Sequence, residues 1–457
     1  MQTQSGNYCK VSNRGQLLKT LSSLKFPVAV FLVAILWCVN AAFAGGFMIP
    51  HQTAKGLSLA GAMVAGVDDP SAVYYNPAAL SEIDGNQILG SGEFINVLSS
   101  VENRSRRAVD KKDDNFLATL FGNYHIPGSD FTIGLGNYSP FGLATKYNPG
   151  FSRFAAETTE LRTIYVTPAL SWQPSKIISV GAGLSFVHSS AVLSRALCFD
   201  LVAGCATPGG TDEGRIRVTG VTNAFTYNVG LLVKPSESLK LGLTYRARTD
   251  LRFENSDIKF GGNFTPTKTK AVVRPIPLPP VTDIGAFWQI NSSWGAEIKY
   301  EYTRWSEFKT VSAFFSPPST FTITGLGFPL PVPVSSFNLP QKWKNTNHIT
   351  MGSFYTLNRD WELRGGIGIE QTPIPRKTAN PSIPGSDDLI LSAGVGYKWN
   401  KVSIDFGYMA AFYKNRKINN SELEGSTATG IPFSGASGSD KHETLNHLLS
   451  AGLAYKF

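Results

Sequence analysis

The feature that most constrains this chain is an alternation of apolar and polar residues, which recurs from Gln87 to Phe457. Period two is the mark of a β-strand with two different faces. In 402–413, for example, one face carries Val402, Ile404, Phe406, Tyr408, Ala410 and Phe412. After residue 44, no apolar run approaches the roughly 20 residues of a membrane-spanning helix. A mature chain that enters a membrane must therefore do so as a closed sheet.

The two faces of these segments suit a membrane barrel better than a soluble sandwich. Aromatic residues lie near the segment ends on the apolar faces, as interfacial girdles require, and the opposite faces mix charges with glycine. Charged residues make up only 16% of the chain. A soluble sandwich would also alternate, but its polar face would meet water along open edges.

Fourteen candidate strands can be assigned, and their connections alternate between short turns and long loops. Short periplasmic turns and long external loops are the usual asymmetry of outer-membrane barrels. The predicted fold is all-β: a fourteen-stranded antiparallel transmembrane barrel over residues 86–457. The candidate strands are 87–100, 116–125, 131–138, 162–173, 178–193, 220–234, 239–253, 280–290, 293–308, 343–357, 361–371, 388–399, 402–416 and 443–457.

Residues 1–44 have the composition of a cleaved export signal. Four basic residues and no acidic residue precede the apolar run Phe26–Val39. Ala42-Phe43-Ala44 then supplies a small-x-small cleavage pattern. The run is too short for an ordinary spanning helix, which is the alternative. Removing the four charges lowers the formal charge from +9 to 9 − 4 = +5, which gives no reason to expect a nucleic-acid partner.

The mature chain keeps two cysteines, Cys198 and Cys205, in the third long loop. Two neighbouring cysteines in an exported chain favour a disulfide. A metal site is the alternative, but the loop lacks nearby histidine or further cysteine. No metal and no cofactor is predicted. Another long loop, 309–342, is rich in Pro, Phe, Leu and Val over residues 312–340. We expect this loop either to cover an apolar entry site or to lie against its neighbours.

Residues 45–85 precede the barrel and do not alternate. They are rich in small residues and include Asn76-Pro77-Ala78, a turn-forming sequence. About forty residues of short helix and turn can fill the lumen of a barrel as a hatch. A separate periplasmic domain is the alternative, but so short a segment has little core of its own.

Several motifs, in a shared order over 400 residues, resemble the FadL-type outer-membrane transporters of long-chain fatty acids and their TodX-type relatives, which carry monoaromatic hydrocarbons. They are Gly45-Gly46-Phe47, Asp68-Asp69, Asn76-Pro77-Ala78, Phe141-Gly142-Leu143-Ala144-Thr145, Tyr302 to Phe308, Trp361 to Gly368, Thr372-Pro373-Ile374-Pro375 and Ile383 to Asp388. The resemblance implies a hatch-filled barrel that captures its ligand outside, rearranges the hatch and releases the ligand sideways at a kink in the third strand.

The resemblance also assigns residues to these steps. Phe47 resembles the residue that fills the ligand pocket until ligand displaces it, although it could simply stabilise the hatch. Pro140, Phe141 and Gly142 fall at the expected kink, where Pro and Gly would weaken a strand. Arg195 matches a basic pocket position that could pair with a carboxylate, or it could be a solvated loop residue. Lys342 lies near a second basic position.

Uptake of toluene-like hydrocarbons is the main alternative function, and a general porin is a distant one because an open pore needs no hatch. No Ser/His/acid set with defined spacing indicates a hydrolase, so no enzymatic activity is expected. The expected partners are a hydrophobic ligand, outer-membrane lipid and lipopolysaccharide, and the barrel-assembly machinery, which would recognise the aromatic C-terminus at Phe457. The protein is expected to be a monomer in the bacterial outer membrane.

Overall fold

The computed structural model describes residues 46–103, 106–109, 115–148, 151–154, 156–198, 213–262, 270–323, 330–418 and 440–457. The predicted signal, 1–44, and Cys205 lie outside the described residues.

The described residues form 21 strand segments in one antiparallel sheet. They are β1 Gln87–Asn103, β2 Arg106–Val109, β3 Asn115–His125, β4 Phe131–Tyr138, β5 Gly142–Lys146, β6 Thr158–Trp172, β7 Ile178–Cys198, β8 Glu213–Ser236, β9 Leu239–Arg246, β10 Thr249–Gly262, β11 Lys270–Leu278, β12 Val281–Gln289, β13 Trp294–Thr303, β14 Thr310–Ile323, β15 Leu330–Pro340, β16 Thr346–Thr356, β17 Trp361–Glu370, β18 Asp388–Trp399, β19 Val402–Tyr413, β20 Arg416–Ile418 and β21 Asp440–Lys456.

These segments make fourteen barrel strands, because seven strands are each interrupted once. The interrupted strands are β2/β3, β4/β5, β9/β10, β11/β12, β13/β14, β15/β16 and β19/β20. The last strand, β21, pairs with β1 from Gln87↔Lys456 to Asn103↔Asp440, and this ladder closes the cylinder. A closed sheet leaves no unpaired edge in lipid. The predicted fourteen-stranded barrel is confirmed.

Apolar side chains lie mainly on the outer face of the barrel, and polar side chains lie mainly on the inner face. Large apolar side chains such as Phe116, Phe225 and Leu184 are more than half exposed on the outer face, whereas Thr167, Thr350 and many other polar residues are buried on the inner face. Period-two alternation produces this division, because successive side chains of a strand point to opposite faces. The outer face is therefore suited to hydrocarbon and the lumen to polar contacts.

The residues before the barrel fill its lumen. Helix α1 (Ala54–Ser58) lies against β17–β19 and β21, and helix α2 (Ala72–Tyr75) lies against β4 and β6. A 3₁₀ segment, Pro77–Glu82, follows and contacts β6, β7 and β8. We call residues 46–83 the hatch. None of the described helices is long and apolar enough to cross a membrane.

The short turns lie within about two residues of the predicted positions, and β4 and β18 match their predicted bounds. Two of the long external connections were predicted wrongly, whereas the loop predicted at 372–387 lies between β17 and β18 as expected. Residues 254–279 and 309–342 were assigned to loops, but β10, β11, β14 and β15 continue the ladders through them. The prolines around Phe314–Ser319 only shift the β14–β15 register, because an irregularity of this kind tolerates proline in a strand.

Candidate functional site

Phe47 lies in a cage of aromatic side chains inside the barrel. Its ring centroid is 4.8 Å from that of Trp305, 5.6 Å from Trp343, 5.8 Å from Phe308 and 6.3 Å from Phe141. Most of these contacts are edge-to-face, the arrangement that aromatic quadrupoles favour. All five side chains are buried. We call them the Phe47 cage.

The same N-terminal segment occupies a break in the third strand. The strand stops at Tyr138 and resumes at Gly142, and the ladder between β3 and β4 ends at the pair Leu120↔Asn137. At the break, the Ile49 N–H donates to the Pro140 carbonyl (2.8 Å) and the Gly142 N–H donates to the Phe47 carbonyl (3.0 Å). Residues 47–49 thus act as a short strand added from the lumen.

Two polar side chains satisfy the backbone that the break exposes. The buried Gln52 amide donates to the Ser139 carbonyl (3.1 Å) and accepts from the Ser139 N–H (2.9 Å). From β6, the Thr163 hydroxyl donates to the Phe141 carbonyl (2.6 Å). Because unpaired backbone groups are costly in a membrane, these contacts explain why the break can persist.

The hatch turn predicted at Asn76, Pro77 and Ala78 is held to the barrel wall. The Asn76 side chain accepts from the Ala78 N–H (3.1 Å) and donates to the carbonyls of Val64 (2.8 Å) and Leu231 (3.2 Å). A Cβ at Gly181 would lie 2.3 Å from the Pro77 carbonyl carbon. Only glycine allows so close an approach, and the turn is wedged against β7.

Two carboxylates fasten the rest of the hatch. Glu297 on β13 accepts the N–H groups of Val64 (2.6 Å), Ala65 (2.9 Å) and Gly66 (2.8 Å). At the other end, Glu82 binds Lys234 (2.6 Å) and Lys240 (3.4 Å) beside the turn between β8 and β9. Burial alone would raise the pKa of the Glu82 carboxyl, but the hydrogen bonds and charges of these lysines outweigh it and lower that pKa.

Arg195 is buried, and it lies on β7 between Leu193 and Leu197 in the side-chain alternation. Leu197 belongs to an apolar cluster near the external strand ends, which we call the outer apolar cluster: Leu197, Ile216, Val218, Ala271, Ala313 and Phe315. Arg195 pairs across the sheet with Ile216. Val273 contacts both this cluster and the larger one that contains Phe47, so apolar surface is continuous between them.

The other predicted site residues are placed as follows. Lys342 has an exposed side chain and a left-handed backbone (φ 51°), whereas its neighbour Trp343 is turned into the cage. Cys198 is disulfide-bonded, and Cys205 lies outside the described residues. The sequence interpretation missed Trp305, Trp343 and Gln52. The tryptophans fall in segments that it assigned to strands with an interfacial girdle, so nothing local distinguished them.

A closed sheet with a lipid-type exterior and a fastened internal hatch defines an outer-membrane β-barrel of the plugged, transporting kind. This chain belongs to the family described as outer membrane protein transport protein (OMPP1/FadL/TodX), whose family model matches residues 35–457. It is an outer-membrane transport protein of that family.

Two relatives show the level of similarity. The chain is 24% identical over 432 residues to the long-chain fatty acid transport protein of Escherichia coli K12, covering 86% of this chain and 94% of that one. It is 22% identical over 452 residues to outer membrane protein P1 of Haemophilus influenzae, covering 88% and 92%.

Solved structures share the fold. A Pseudomonas aeruginosa FadL homologue superimposes with a TM-score of 0.74 at 20% identity, covering 90% of this chain and 100% of that one. The Pseudomonas putida toluene transporter TodX gives a TM-score of 0.68 at 16% identity, covering 92% and 100%.

Proposed function

We propose that this protein takes up long-chain fatty acids. The ligand is captured at the outer apolar cluster with its carboxylate on Arg195, passes along Val273 to the Phe47 cage, displaces the Phe47 ring and leaves sideways at residues 139–141. Exposing apolar surface to water costs roughly 25 cal/mol per Å². Sideways release into the membrane avoids this cost, whereas release into the aqueous periplasm would incur it.

The coupling of the two last steps follows from one short segment. Phe47 fills the cage, and its own carbonyl, with the Ile49 N–H, closes the break in the third strand. A ligand that displaces the ring therefore pulls on the same three residues that cover the exit. Binding and opening become one event.

The observation that favours a fatty acid over a hydrocarbon is a pair of buried donors beside the cage. The Gln341 side-chain oxygen accepts from the Trp343 indole (3.0 Å). The Gln341 amide nitrogen and the Trp305 indole nitrogen are buried and make no hydrogen bond in the described residues. A carboxylate would satisfy such donors, whereas a hydrocarbon would leave them unpaired, which costs about 1–3 kcal/mol per group.

Uptake of monoaromatic hydrocarbons is the second candidate. The Phe47 cage favours it, since four aromatic rings already enclose a fifth at centroid distances of 4.8–6.3 Å. A toluene ring could take the place of the Phe47 phenyl. TodX of Pseudomonas putida, whose solved structure shares this fold, is a toluene transporter.

Binding of labelled oleate and labelled toluene to the purified mature protein in detergent separates the candidates. We expect Arg195→Ala to weaken oleate binding about 10- to 100-fold, the equivalent of one charge-assisted hydrogen bond, and to leave toluene binding unchanged. Arg217→Ala, which removes an exposed arginine from β8, is the matched control. If oleate does not bind and toluene binds equally well to all three proteins, the fatty-acid proposal is wrong.

Trp305→Phe tests the buried donor directly. The substitution removes the indole N–H and keeps an aromatic ring in the cage. Oleate should bind several-fold more weakly, in line with the cost of one lost hydrogen bond, while toluene should bind as before. Equal weakening of both ligands would show that Trp305 acts through its shape alone.

A further inference from the structure

Three side chains that can ligate a metal ion meet in the lumen, and none of them has a role in the proposed path of the ligand. Glu301 on β13, His348 on β16 and Glu370 on β17 stand on three successive barrel strands. The register pairs Glu301 directly with His348 and His348 directly with Glu370. All three therefore share one level and one face of the sheet, and all three are buried.

The distances between these groups are too long for hydrogen bonds and close to those of ligands that share an ion. His348 Nδ1 lies 3.8 Å from a Glu370 carboxylate oxygen and 4.0 Å from one of Glu301. One donor atom from each residue lies within 4.8 Å of the other two. Two donors bound to the same zinc ion are about 3–3.5 Å apart, so the two pairs that include His348 must close by about half an ångström and the widest pair by about an ångström.

His348 supplies an independent indication. Its side chain is only 2% exposed, yet neither ring nitrogen has a hydrogen-bond partner among the described residues. Buried polar atoms are nearly always paired, and an unpaired one calls for an explanation such as an ion. A metal bound through Nδ1 would provide it.

The surrounding residues support such an ion. Lys299 donates to Glu301 (2.9 Å) and Thr303 donates to the other oxygen of the same carboxylate (3.2 Å). Hydrogen bonds of this kind orient the ligands in metal sites. The positive charge of Lys299 would repel a bound cation. The Asp283 carboxylate lies 3.9 Å from the Lys299 ammonium and offsets that charge. Glu301 and Glu370 supply two carboxylates, which is the formal charge that a divalent ion requires.

We infer that Glu301, His348 and Glu370 form a binding site for a first-row divalent cation, with zinc(II) as the ion that it fits best. One imidazole and two carboxylates are a common donor set for such ions, and three protein ligands leave an open position for water. The site would join three strands of the wall. It also lies next to the hatch, since a Cβ at Gly61 would lie 3.7 Å from the ammonium of Lys299, which binds Glu301. Bound zinc would stiffen the wall against which the hatch rests.

The test is metal binding to the purified mature protein in detergent after treatment with EDTA. Titration with cobalt(II), followed by its visible absorption, should saturate at one ion per chain, and zinc(II) should displace it. His348→Ala and Glu370→Gln should each weaken zinc binding by about 10- to 100-fold or more, since even loss of a supporting hydrogen bond has an effect of that size.

His442→Ala is the matched control, because His442 is also buried in the barrel but lies opposite Arg416 on β20. It should bind zinc like the wild type. Heat-dependent migration on gels will show that each variant forms a barrel, and Glu370→Gln is nearly isosteric should His348→Ala fail to fold. The inference is overturned if the stripped wild-type protein takes up no stoichiometric ion, or if the wild type and both variants bind equally.

Discussion

Replacing Phe47 with alanine should release the N-terminal segment. Removal of a buried phenyl typically costs about 3–5 kcal/mol. Without the ring, residues 47–49 keep two backbone hydrogen bonds to the break and the hydrogen bonds that Gln52 and Tyr74 donate to the Ile49 carbonyl. We expect acrylamide to quench tryptophan fluorescence more strongly, because Trp305 and Trp343 lose their cover, and oleate to bind more tightly. Phe116→Ala, on the lipid face, should change neither property. Unchanged quenching and affinity would show that Phe47 does not compete with ligand.

Glu82 should give the hatch a pH-dependent attachment. Its pKa is lowered in the folded protein by Lys234 and Lys240, so its contribution to stability is complete above the ordinary glutamate pKa of about 4.3 and is lost as pH falls through the lower folded value. Glu82→Gln should therefore lower the thermal midpoint at about pH 7 and lower it less at about pH 3, where part of the contribution of Glu82 is already lost. Circular dichroism of the protein in detergent measures both. Glu237→Gln, in the adjoining turn, is the control, and an equal deficit at both pH values would contradict the assignment.

At the scale of elements, alternation predicts a strand well where lipid lies on one side and the hatch on the other. It predicted β4 and β18 correctly because each residue there has a single, clearly apolar or polar environment. It failed for β14 and β15, because strands above the membrane need no lipid-facing side and prolines interrupt their pattern. The Phe47 cage was missed for another reason: Trp305 and Trp343 meet only after distant strands pair.

The break in the third strand can serve as an exit only if no large side chain fills it. The Gly142 N–H binds the Phe47 carbonyl, and a Cβ at Gly142 would already lie 3.1 Å from Ile49. We expect Gly142→Phe to block oleate uptake by whole cells and to leave oleate binding to the purified protein intact. Gly261→Phe is the control and should keep uptake, because a Cβ at Gly261 meets nothing closer than 3.8 Å. Gly136 would not serve, because a Cβ there would lie 2.9 Å from the Phe121 ring. Normal uptake by Gly142→Phe would exclude sideways exit here.

At the scale of the whole molecule, the barrel and the body of the hatch form one fastened unit, and the N-terminal segment is the exception. The ladder between β1 and β21 closes the sheet without any hatch residue. From Ala54 onward, the hatch is held by Glu297, by Asn76 and by glycines that let it touch the wall, such as Gly181. Residues 47–49 are held by the Phe47 ring, by two backbone hydrogen bonds to the break and by Gln52 and Tyr74, which donate to the Ile49 carbonyl (2.7 and 3.4 Å) but belong to the hatch itself and not to the wall. The rearrangement that admits ligand should therefore be confined to the first residues of the hatch.

A disulfide between α1 and β21 would decide whether the hatch body moves. A Cβ at Gly452 would lie 3.5 Å from the Ala54 Cβ, within the range of about 3.5–4.5 Å that disulfides require. The oxidised variant Ala54→Cys/Gly452→Cys should take up oleate at the wild-type rate, because only residues before Ala54 need to move. Each single-cysteine variant is a control for the substitution itself. If oxidation stops uptake in the double variant alone, the whole hatch must shift, and the fastening by Glu297 and Asn76 must break in every transport cycle.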